Sequence, residues 1–468
     1  MKQLVRNLKI LFAFFLILSI AFLSGIIWHQ HKSQTILLSS AGENKEALRA
    51  RYSAAGDILS SDGEKLAFSS DGTRYYAEDP VTAQAFLQLV GDYTHNIGNT
   101  IEGVYQDRLI GVGRPFFTQL KMDFTGHGLT GDSIVLTADS RLTKTAYQTM
   151  SGFNGSAVIL NYKTGDVLAA ISTPSTSPQN VINWENIPDT ALFNRALRST
   201  YVPGSTFKLL TGYNWVHSDA YRPDYTVQCK GREPLLGEGS VNENRNDAGH
   251  GVVNLQEAYA VSCNHFFGDI ILRPDRSNLD DTFATFHLNR PLALDGLSVS
   301  TSIAEPPPDD FSLTWFGIGQ PLENAKLGIT PLQMAMIAGT IANDGEMMQP
   351  HIVKQINTPD GGTETVADPT VLHTADAASC RIIAEDLRTV VERGTGTNAY
   401  RDGLTICGKT GTAQGTDPDG NLTTNSLFVG FLDMEEAPYA VAVVLENTSS
   451  GAPWIAGELL SSCYQIKP

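Results

Sequence analysis

A serine and a lysine three positions apart are the first residues in this chain whose types and spacing suggest chemistry. Ser205 and Lys208 follow Pro203-Gly204, and the sequence from Ser205 to about Val216 predicts a helix. Residues three apart on a helix share a face. A serine hydroxyl becomes a strong nucleophile when a base takes its proton, and a lysine whose pKa is lowered is such a base. A capped surface helix with a solvated lysine has the same spacing, so this pair alone does not define a site.

Two further motifs strengthen the assignment. Ser262-Cys263-Asn264 follows the helical pattern at 255–261, and Lys409-Thr410-Gly411-Thr412 precedes an apolar segment. Taken singly, Ser262 could cap a helix and Lys409 could be an exposed strand lysine. The ordered set S-x-x-K, S-x-N and K-T-G, however, is similar to the signature of penicillin-binding proteins and serine β-lactamases.

The resemblance extends from roughly Gly155 to Leu445 and indicates class B penicillin-binding proteins. It implies a peptidoglycan D,D-transpeptidase and an α+β fold, in which a five-stranded antiparallel sheet is flanked by helices. The predicted strands at 156–160, 167–171, 427–432 and 439–445, with helical patterns between them, suggest the same class. The segments that carry the resemblance are Asn194-Arg195-Ala196-Leu197, Cys229-Lys230-Gly231, His250-Gly251, Gly317-Ile318-Gly319-Gln320, Thr330-Pro331-Leu332-Gln333-Met334-Ala335 and Gly394-Thr395-Gly396.

Acyl transfer from a peptide needs a nucleophile, a base, a proton path to the leaving amine and donors for the oxyanion. Ser205 is the expected nucleophile and Lys208 the expected base. We expect Lys409, as a second cation, to lower the pKa of Lys208. Ser262 can relay the proton to the amine, and Asn264 can hold Lys208 and the substrate amide by hydrogen bonds.

The K-T-G strand is expected to bind substrate. Lys409, Thr410 and Thr412 offer a charge and hydroxyl groups to a C-terminal carboxylate, and Gly411 leaves the strand without a side chain where substrate must lie. The resemblance further implies an oxyanion hole of two backbone N–H groups, those of Ser205 and Thr412. It also implies the D-Ala-D-Ala end of a peptidoglycan stem peptide as substrate, acylation by β-lactams and no metal or cofactor.

Composition restricts the class of partner. The chain has 468 residues with 33 basic and 50 acidic side chains, a formal net charge of −17. This charge argues against nucleic acid as a partner, because phosphate binding requires a basic surface. Five cysteines show no C-x-x-C spacing and therefore no zinc pattern. Cys229 and Cys263 could pair if the fold brings them together. A cysteine nucleophile is a rival hypothesis that no Cys-His arrangement in the sequence supports.

The N-terminal segment predicts a membrane anchor. Ile10 to Trp28 is an uncharged run of nineteen residues, preceded by Lys2, Arg6 and Lys9. At about 1.5 Å per residue such a helix spans the hydrocarbon layer of about 30 Å. The basic flank predicts a cytoplasmic N-terminus and an extracellular remainder. A cleaved signal peptide is the alternative, but the run is long and no clear cleavage site follows it.

These features predict four parts: a cytoplasmic N-terminus at 1–9, an anchor at 10–28, a small pedestal at 29–152 and a transpeptidase domain at 153–468. Gly56-Asp57-Ile58-Leu59 followed by Ser61-Asp62-Gly63 predicts a hairpin of strand, turn and strand, which resembles the pedestal motif of the family. Ala55 stands where that motif has an arginine, which puts the salt bridge of the family in doubt here. The resemblance implies a polytopic membrane glycosyltransferase as a partner, which would dock on the anchor and pedestal.

Three other functions fit some of the same residues. Ser205-Thr206-Phe207-Lys208 also suits a membrane-anchored serine β-lactamase, although the pedestal and the segment 317–335 argue against it. A β-lactam sensor needs a cytoplasmic signalling part, for which nine residues are too few. An inactive scaffold is disfavoured by the intact motif set.

Overall fold

The computed structural model describes residues 2–39, 49–112, 114, 116–126, 128, 130–243, 248–416 and 422–468. Its first element is a long helix, Lys2–Ser39. Within it, Val5–Gly25 is a stretch of 21 residues that is long and apolar enough to cross a membrane, and none of it is buried against the protein. The stretch begins earlier than the expected anchor at 10–28, and the helix continues beyond Trp28. One apolar N-terminal helix is consistent with a single-pass anchor.

The larger domain is built on an antiparallel sheet of five strands, as expected. The two strands at the edges of this sheet come from distant parts of the chain. The segments between them in sequence form most of the rest of the domain. The spatial order is Ile406–Thr416, Leu422–Leu432, Tyr439–Leu445, Gly155–Asn161 and Val167–Thr173. Ile406–Thr416, which carries the K-T-G motif, is therefore an edge strand.

Both faces of this sheet are buried against helices. Side chains alternate along a strand, so the strand Tyr439–Leu445 sends Val441 and Val443 into one apolar cluster and Ala442 and Val444 into another. The first cluster includes the C-terminal helix, and the second includes the predicted buried helix of the Thr330 segment. The helices that cover the two faces are Ala452–Ile466 with Ser140–Thr149, and Pro331–Ala342. The predicted α+β architecture is therefore confirmed.

A second sheet has six strands and includes the segments predicted to form the pedestal. Four strands come from the expected pedestal region, and two come from a hairpin inserted in the C-terminal half of the chain. Its order is Thr363–Thr365, Val353–Asn357, Ser133–Leu136, Ile58–Leu59, Lys65–Ser70 and Thr73–Tyr76. The sequence boundary at 152 thus does not separate the two sheets completely, because residues from the far side of it complete the pedestal.

The predicted pedestal hairpin is present, and a buried ion pair stands beside it. Ile58–Leu59 pairs antiparallel with Lys65–Ser70. Arg74 Nε lies 2.8 Å from Glu102 Oε1, with both side chains fully buried, and Arg74 Nη1 donates to the carbonyl oxygen of Gly56 at 2.8 Å. Thus a buried arginine reaches the motif although Ala55 replaces the arginine of the family pattern.

The remaining elements frame the cleft or connect the two sheets. Most of the helices follow a residue whose side chain accepts a hydrogen bond from a backbone N–H of the first turn, as Asn254 does for the helix before Ser262. The other helices are Pro80–Val90, Ile101–Val104, Gln106–Leu109, Phe116–Thr125, Pro178–Asn183, Arg195–Arg198, Lys208–Val216, Leu255–Val261, Asn264–Ile270, Ser277–Thr285, Asp310–Gly317 and Ala377–Arg393. The other strands pair in twos: Val227–Cys229 with Gly251–Val253, Ala293–Leu294 with Leu297–Ser298, Ile303–Glu305 with Lys326–Gly328, and Glu346–Met348 with Val371–Thr374.

Candidate active site

The three sequence motifs meet in one open cleft of about 1200 Å³ beside the edge strand of the central sheet. Every motif contributes to its lining, together with residues that the sequence analysis did not assign a role. The lining includes Ser205, Ser262, Asn264, Thr410, Gly411 and Thr412. Neither Cys229 nor Cys263 is part of it.

The turn that carries Ser205 is held by close backbone packing. Gly204 adopts a positive φ of 53°, and its N–H donates to the carbonyl oxygen of Gly319 at 3.0 Å. The segment Gly204–Phe207 is a 3₁₀ turn, and the α-helix begins at Lys208. The predicted helix from Ser205 to about Val216 is therefore present, with a first turn that is 3₁₀ rather than α-helical. Ser205 is partly exposed to the cleft, whereas Lys208 is fully buried below it.

The amino group of Lys208 is held by the S-x-N motif. Lys208 Nζ donates to the carbonyl oxygen of Ser262 at 2.8 Å, to Ser262 Oγ at 3.2 Å and to Asn264 Oδ1 at 2.8 Å. Among the described residues it makes no hydrogen bond to Ser205 Oγ. Catalytic hydrogen bonds are often longer before substrate binds. Ser262, which ends its helix in the left-handed region at φ 57°, thereby presents both its oxygen atoms to Lys208.

Burial lowers the pKa of Lys208 to about 8, against the opposing effects of Glu243 and Cys263. The expected cause, repulsion by Lys409, is not the one that acts on Lys208. Instead, burial and then the positive charge of Lys208 lower the pKa of Lys409 well below its ordinary value. A lysine with a pKa near 8 has a substantial neutral fraction near neutral pH, so Lys208 can accept a proton.

Lys409 approaches the same serine from the opposite wall. Its Nζ donates to Ser262 Oγ at 2.9 Å and to the carbonyl oxygen of Thr410 at 3.2 Å, and the side chain is fully buried. Ser262 Oγ therefore lies between two lysine amino groups, one on the helix Lys208–Val216 and one on the edge strand.

The rest of the K-T-G motif packs directly on the turn of Ser205. A Cβ atom on Gly411 would lie 2.9 Å from both the Pro203 carbonyl oxygen and Thr206 Cγ2. The glycine is required by this close approach, in addition to the expected space for substrate. Thr410 Oγ1 lies 2.8 Å from Thr395 Oγ1. Thr412 lies in the strand beside the turn, and a Cβ on Gly204 would be 2.6 Å from its carbonyl oxygen.

Several residues near the motifs had no assigned role. Gln320 Nε2 donates to the Thr412 carbonyl oxygen at 3.0 Å, and Tyr259 Oη donates to the Lys208 carbonyl oxygen at 2.9 Å. Gln320 and Thr395 lie in segments that carry the family resemblance, so the motif pattern could have suggested them. Tyr259 lies in a helical run that gives no such signal.

The fold creates a Cys-His arrangement that the sequence does not reveal. Cys229 Sγ lies 3.3 Å from His265 Nδ1 and 3.5 Å from His250 Nδ1. Cys263 is fully buried, and burial raises the pKa of its thiol. A thiol that resists ionisation and does not line the cleft is a poor nucleophile, so the rival hypothesis remains disfavoured. All five cysteines are unpaired, including Cys229 and Cys263.

Comparisons with known proteins identify the family. Residues 155–462 match the penicillin-binding protein transpeptidase domain. The chain is 31% identical over 429 residues to the peptidoglycan D,D-transpeptidase PbpA of Mycolicibacterium smegmatis, with 86% of each chain covered. It is similar in structure to the D,D-transpeptidase domain of a peptidoglycan glycosyltransferase from Eggerthella lenta, with 27% identity and a TM-score of 0.76 over 89% of this chain and 99% of that one.

It is also similar to the imipenem acyl-enzyme complex of penicillin-binding protein A from M. tuberculosis, with 26% identity and a TM-score of 0.78 over 89% of this chain and 99% of that one. The domain match spans more than half of this chain, and the cleft holds all three motifs of the signature set. The chain therefore belongs to the penicillin-binding protein transpeptidase family, as a class B penicillin-binding protein.

Proposed function

We propose that this chain is a peptidoglycan D,D-transpeptidase that forms an acyl-enzyme on Ser205 with Lys208 as the base. The observation that carries the assignment is the buried Lys208 amino group, whose pKa is lowered to about 8 beneath a cleft lined by Ser205. The substrate is the D-Ala-D-Ala end of a stem peptide, and β-lactams acylate the same serine. The relatives named above, a D,D-transpeptidase and an imipenem acyl-enzyme, support this substrate and this inhibitor.

Acylation begins when neutral Lys208 takes the proton of Ser205 Oγ. The oxygen attacks the carbonyl carbon of the penultimate D-Ala, and the carbonyl oxygen becomes an oxyanion. When the tetrahedral intermediate collapses, the C–N bond breaks and the terminal D-Ala leaves as an amine that needs a proton. Ser262 supplies it and recovers one from a neighbouring ammonium group, since its hydroxyl lies between Lys208 and Lys409. The amine of a second stem peptide then displaces Ser205 and forms the cross-link.

The backbone N–H groups of Ser205 and Thr412 form the proposed oxyanion hole. Two contacts support this assignment: Gly204 packs against the carbonyl oxygen of Thr412, and Gln320 donates a hydrogen bond to the same oxygen. They fix the position of the turn that carries Ser205 relative to the edge strand. An oxyanion donor of this kind contributes on the order of 3 kcal/mol to the transition state. Thr410, Gly411 and Thr412 present the edge strand to the substrate, and Lys409 with the two threonines receives the terminal carboxylate.

A serine β-lactamase is not favoured. The relative that matches 86% of this chain is a transpeptidase, and the pedestal sheet uses strands from both halves of the chain. We expect the benzylpenicillin adduct to hydrolyse slowly, with a turnover below about 1 s⁻¹, low on the usual enzyme scale.

We further propose that the N-terminal helix anchors the protein in the cell membrane, with a cytoplasmic N-terminus and an extracellular catalytic domain. The span Val5–Gly25 and the basic residues Lys2, Arg6 and Lys9 support this orientation. The anchor and pedestal together are the proposed docking region for a polytopic glycosyltransferase. Protease digestion of intact spheroplasts tests the orientation: the large domain is expected to be cleaved from outside, and protection of it would contradict the proposal.

Intact-mass analysis after benzylpenicillin tests the chemistry. We expect one penicilloyl adduct, mapped to the peptide that contains Ser205, and its loss in Ser205→Ala. Ser151 is exposed in a turn and does not line the cleft, so Ser151→Ala is a matched control that is expected to retain the adduct. An adduct that persists in Ser205→Ala would refute the assignment, and rapid loss of the adduct from the wild type would favour the β-lactamase.

A further inference from the structure

Four metal-ligating side chains meet beside the S-x-N motif, and the proposed reaction uses none of them. Two of the four, Glu243 and His250, also line the cleft. The candidate ligand atoms of Cys229, Glu243, His250 and Cys263 all lie within 4.8 Å of one another. Cys229 and Cys263 are buried, and the side chains of Glu243 and His250 are only 7% and 16% exposed. We propose that these four residues bind one zinc ion.

Three of the six distances between the ligand atoms are close to those of a tetrahedral zinc site, and the other three are at most 4.8 Å. With Zn–S bonds of about 2.3 Å and Zn–N or Zn–O bonds of about 2.0–2.2 Å, the edges of the tetrahedron measure about 3.3–3.8 Å, and the edge between the two sulfurs is the longest. Cys229 Sγ lies 3.5 Å from His250 Nδ1 and 3.6 Å from Glu243 Oε1. The distance between His250 Nδ1 and Glu243 Oε1 is 3.8 Å. Little movement is therefore needed to close these donors around an ion.

The donor set selects the metal. Two thiols and an imidazole are soft or intermediate ligands that suit zinc, whereas calcium and magnesium require oxygen ligands. Four protein ligands leave no open position, which is the pattern of a structural site. The metal ion is therefore expected to stabilise the fold. It takes no part in the reaction of Ser205.

His265 supports the cluster from an adjacent position. Its Nε2 lies 2.7 Å from the Glu233 carbonyl oxygen, which can only accept, so the proton of the neutral ring resides on Nε2. Its Nδ1 can then accept a hydrogen bond from the thiol of Cys229, whose Sγ lies 3.3 Å away, and Glu243 Oε1 lies 3.6 Å from the same nitrogen. The backbone N–H of His265 also donates to Glu243 Oε1 at 3.0 Å, which orients that carboxylate toward the two thiols.

The position of Cys263 connects this site to the cleft. Cys263 lies between Ser262 and Asn264, the two residues that hold the Lys208 amino group. A metal bound to Cys263 would fix the turn that presents both of them. The four ligands span positions 229 to 263, so the ion also ties the strand pair Val227–Cys229 and Gly251–Val253 to the helix Asn264–Ile270.

The test is the zinc content of the full-length protein, purified in detergent without chelators and measured by inductively coupled plasma mass spectrometry. We expect about one zinc per chain, as for a closed four-ligand site. Cys229→Ser and His250→Ala are each expected to remove most of it. Cys380→Ala is the matched control, because Cys380 is equally buried and lies outside the cluster. This variant is expected to keep its zinc.

A spectroscopic measurement on the wild type covers the case in which the variants fail to fold. Exchange of the bound metal for Co²⁺ is expected to give a thiolate-to-cobalt charge-transfer band and the intense visible bands of tetrahedral cobalt. Zinc removal is expected to lower the melting temperature and to slow benzylpenicillin acylation by about tenfold or more, the usual effect of losing support around a site. The metal content and the cobalt spectrum do not depend on acylation. They therefore test the zinc site whether or not the proposed transpeptidase function is correct.

Two outcomes would overturn the proposal. One is wild-type protein without metal that binds neither added Zn²⁺ nor Co²⁺ at about one equivalent. The other is a Cys229–Cys263 disulfide in the purified protein, detected as the loss of two hydrogens in the intact mass, since it would consume both thiolates.

Discussion

The amino groups of Lys208 and Lys409 donate to one hydroxyl oxygen, that of Ser262, at 3.2 and 2.9 Å. Both side chains are fully buried. Burial disfavours both charges, and the charge of Lys208 further lowers the pKa of Lys409. At least one of the pair can therefore give up its proton easily. This arrangement connects the base, the relay serine and the substrate-binding strand through a single atom.

Acylation should become faster as the pH rises through about 8. Burial lowers the pKa of Lys208 to about 8, with Glu243 and Cys263 opposing the shift, and Lys409 lies on the facing strand. The neutral amine is the base, so the rate should fall about tenfold per pH unit well below this pKa and reach a plateau above it. The second-order rate of benzylpenicillin acylation, measured across this range in buffers of constant ionic strength, checks the prediction.

Circular dichroism over the same pH range is the control for unfolding. A rate that does not change between about one unit below and one unit above the pKa of Lys208 would mean that the base titrates elsewhere.

Substituting Gly319 by alanine should slow acylation. Gly319 has a positive φ of 75°, and a Cβ there would lie 2.0 Å from the Gly204 carbonyl oxygen. The added atom must push away the turn that carries Ser205. A displacement of about 1 Å at a reacting group can reduce the rate on the order of 100-fold. Stopped-flow acylation of Gly319→Ala by benzylpenicillin measures this effect.

Gly403→Ala is the matched control for Gly319→Ala. Gly403 also has a positive φ, of 77°, but a Cβ added there would have no atom of the described residues within 4 Å. It therefore shares the backbone strain and lacks the clash. Equal acylation rates in the two variants would show that the contact between Gly319 and Gly204 does not position the nucleophile.

Removing one partner of the pedestal ion pair should destabilise the protein. Arg74 and Glu102 are fully buried, and Tyr76 Oη also donates to Glu102 Oε2 at 3.2 Å. Arg74→Met leaves the carboxylate buried without its cation, which typically destabilises by about 3–5 kcal/mol. A clear drop in the melting temperature is expected. The double variant Arg74→Met, Glu102→Leu should have a melting temperature between those of Arg74→Met and the wild type.

Lys326→Met is the control for that experiment. Its ion pair with Glu305 is exposed, with 71% and 54% of the two side chains accessible, so its loss should change stability by only about 0–1 kcal/mol. If both variants melt at the same temperature, the buried pair does not stabilise the pedestal.

Local patterns in the sequence were sufficient for the central sheet and for the three motifs. A turn between two apolar runs predicted the strands at 156–160 and 167–171, and β-rich apolar runs predicted those at 427–432 and 439–445. The motif set identified six of the residues that line the cleft. Pairing between distant segments has no local signal. For this reason the hairpin that contains Val353–Asn357 could not be assigned to the pedestal sheet.

The same limit applies to the side-chain clusters. Cys229, Glu243, His250 and Cys263 are spread over 35 positions, so no metal-binding spacing is visible in the sequence. The cause of the lowered pKa of Lys208 was also misjudged, since burial depends on the packing of several helices and cannot be inferred from a neighbouring charge alone.

Neutralising Lys409 distinguishes between two roles for this residue. As a reader of the substrate carboxylate, its ammonium would contribute a charge-assisted hydrogen bond of about 1.5–3 kcal/mol. Lys409→Gln should then slow acylation by roughly ten to a few hundred fold, at about 1.4 kcal/mol per tenfold. Loss of Lys208 should slow it far more, because the nucleophile then has no base. The measurement compares a D-Ala-D-Ala-type peptide or thioester with its C-terminal amide.

The wild type is expected to prefer the free carboxylate strongly, and Lys409→Gln should lose most of this preference. The hydrogen bond between Lys409 and Ser262 Oγ at 2.9 Å provides the alternative, in which the lysine serves the proton path. In that case Lys409→Gln would slow acylation by the same factor with both substrates, and the preference for the free carboxylate would remain. Ser262→Ala is the reference for that outcome, since it removes the relay hydroxyl and leaves the ammonium on the strand. A Lys409→Gln variant that discriminates as the wild type does would therefore exclude Lys409 as the carboxylate reader.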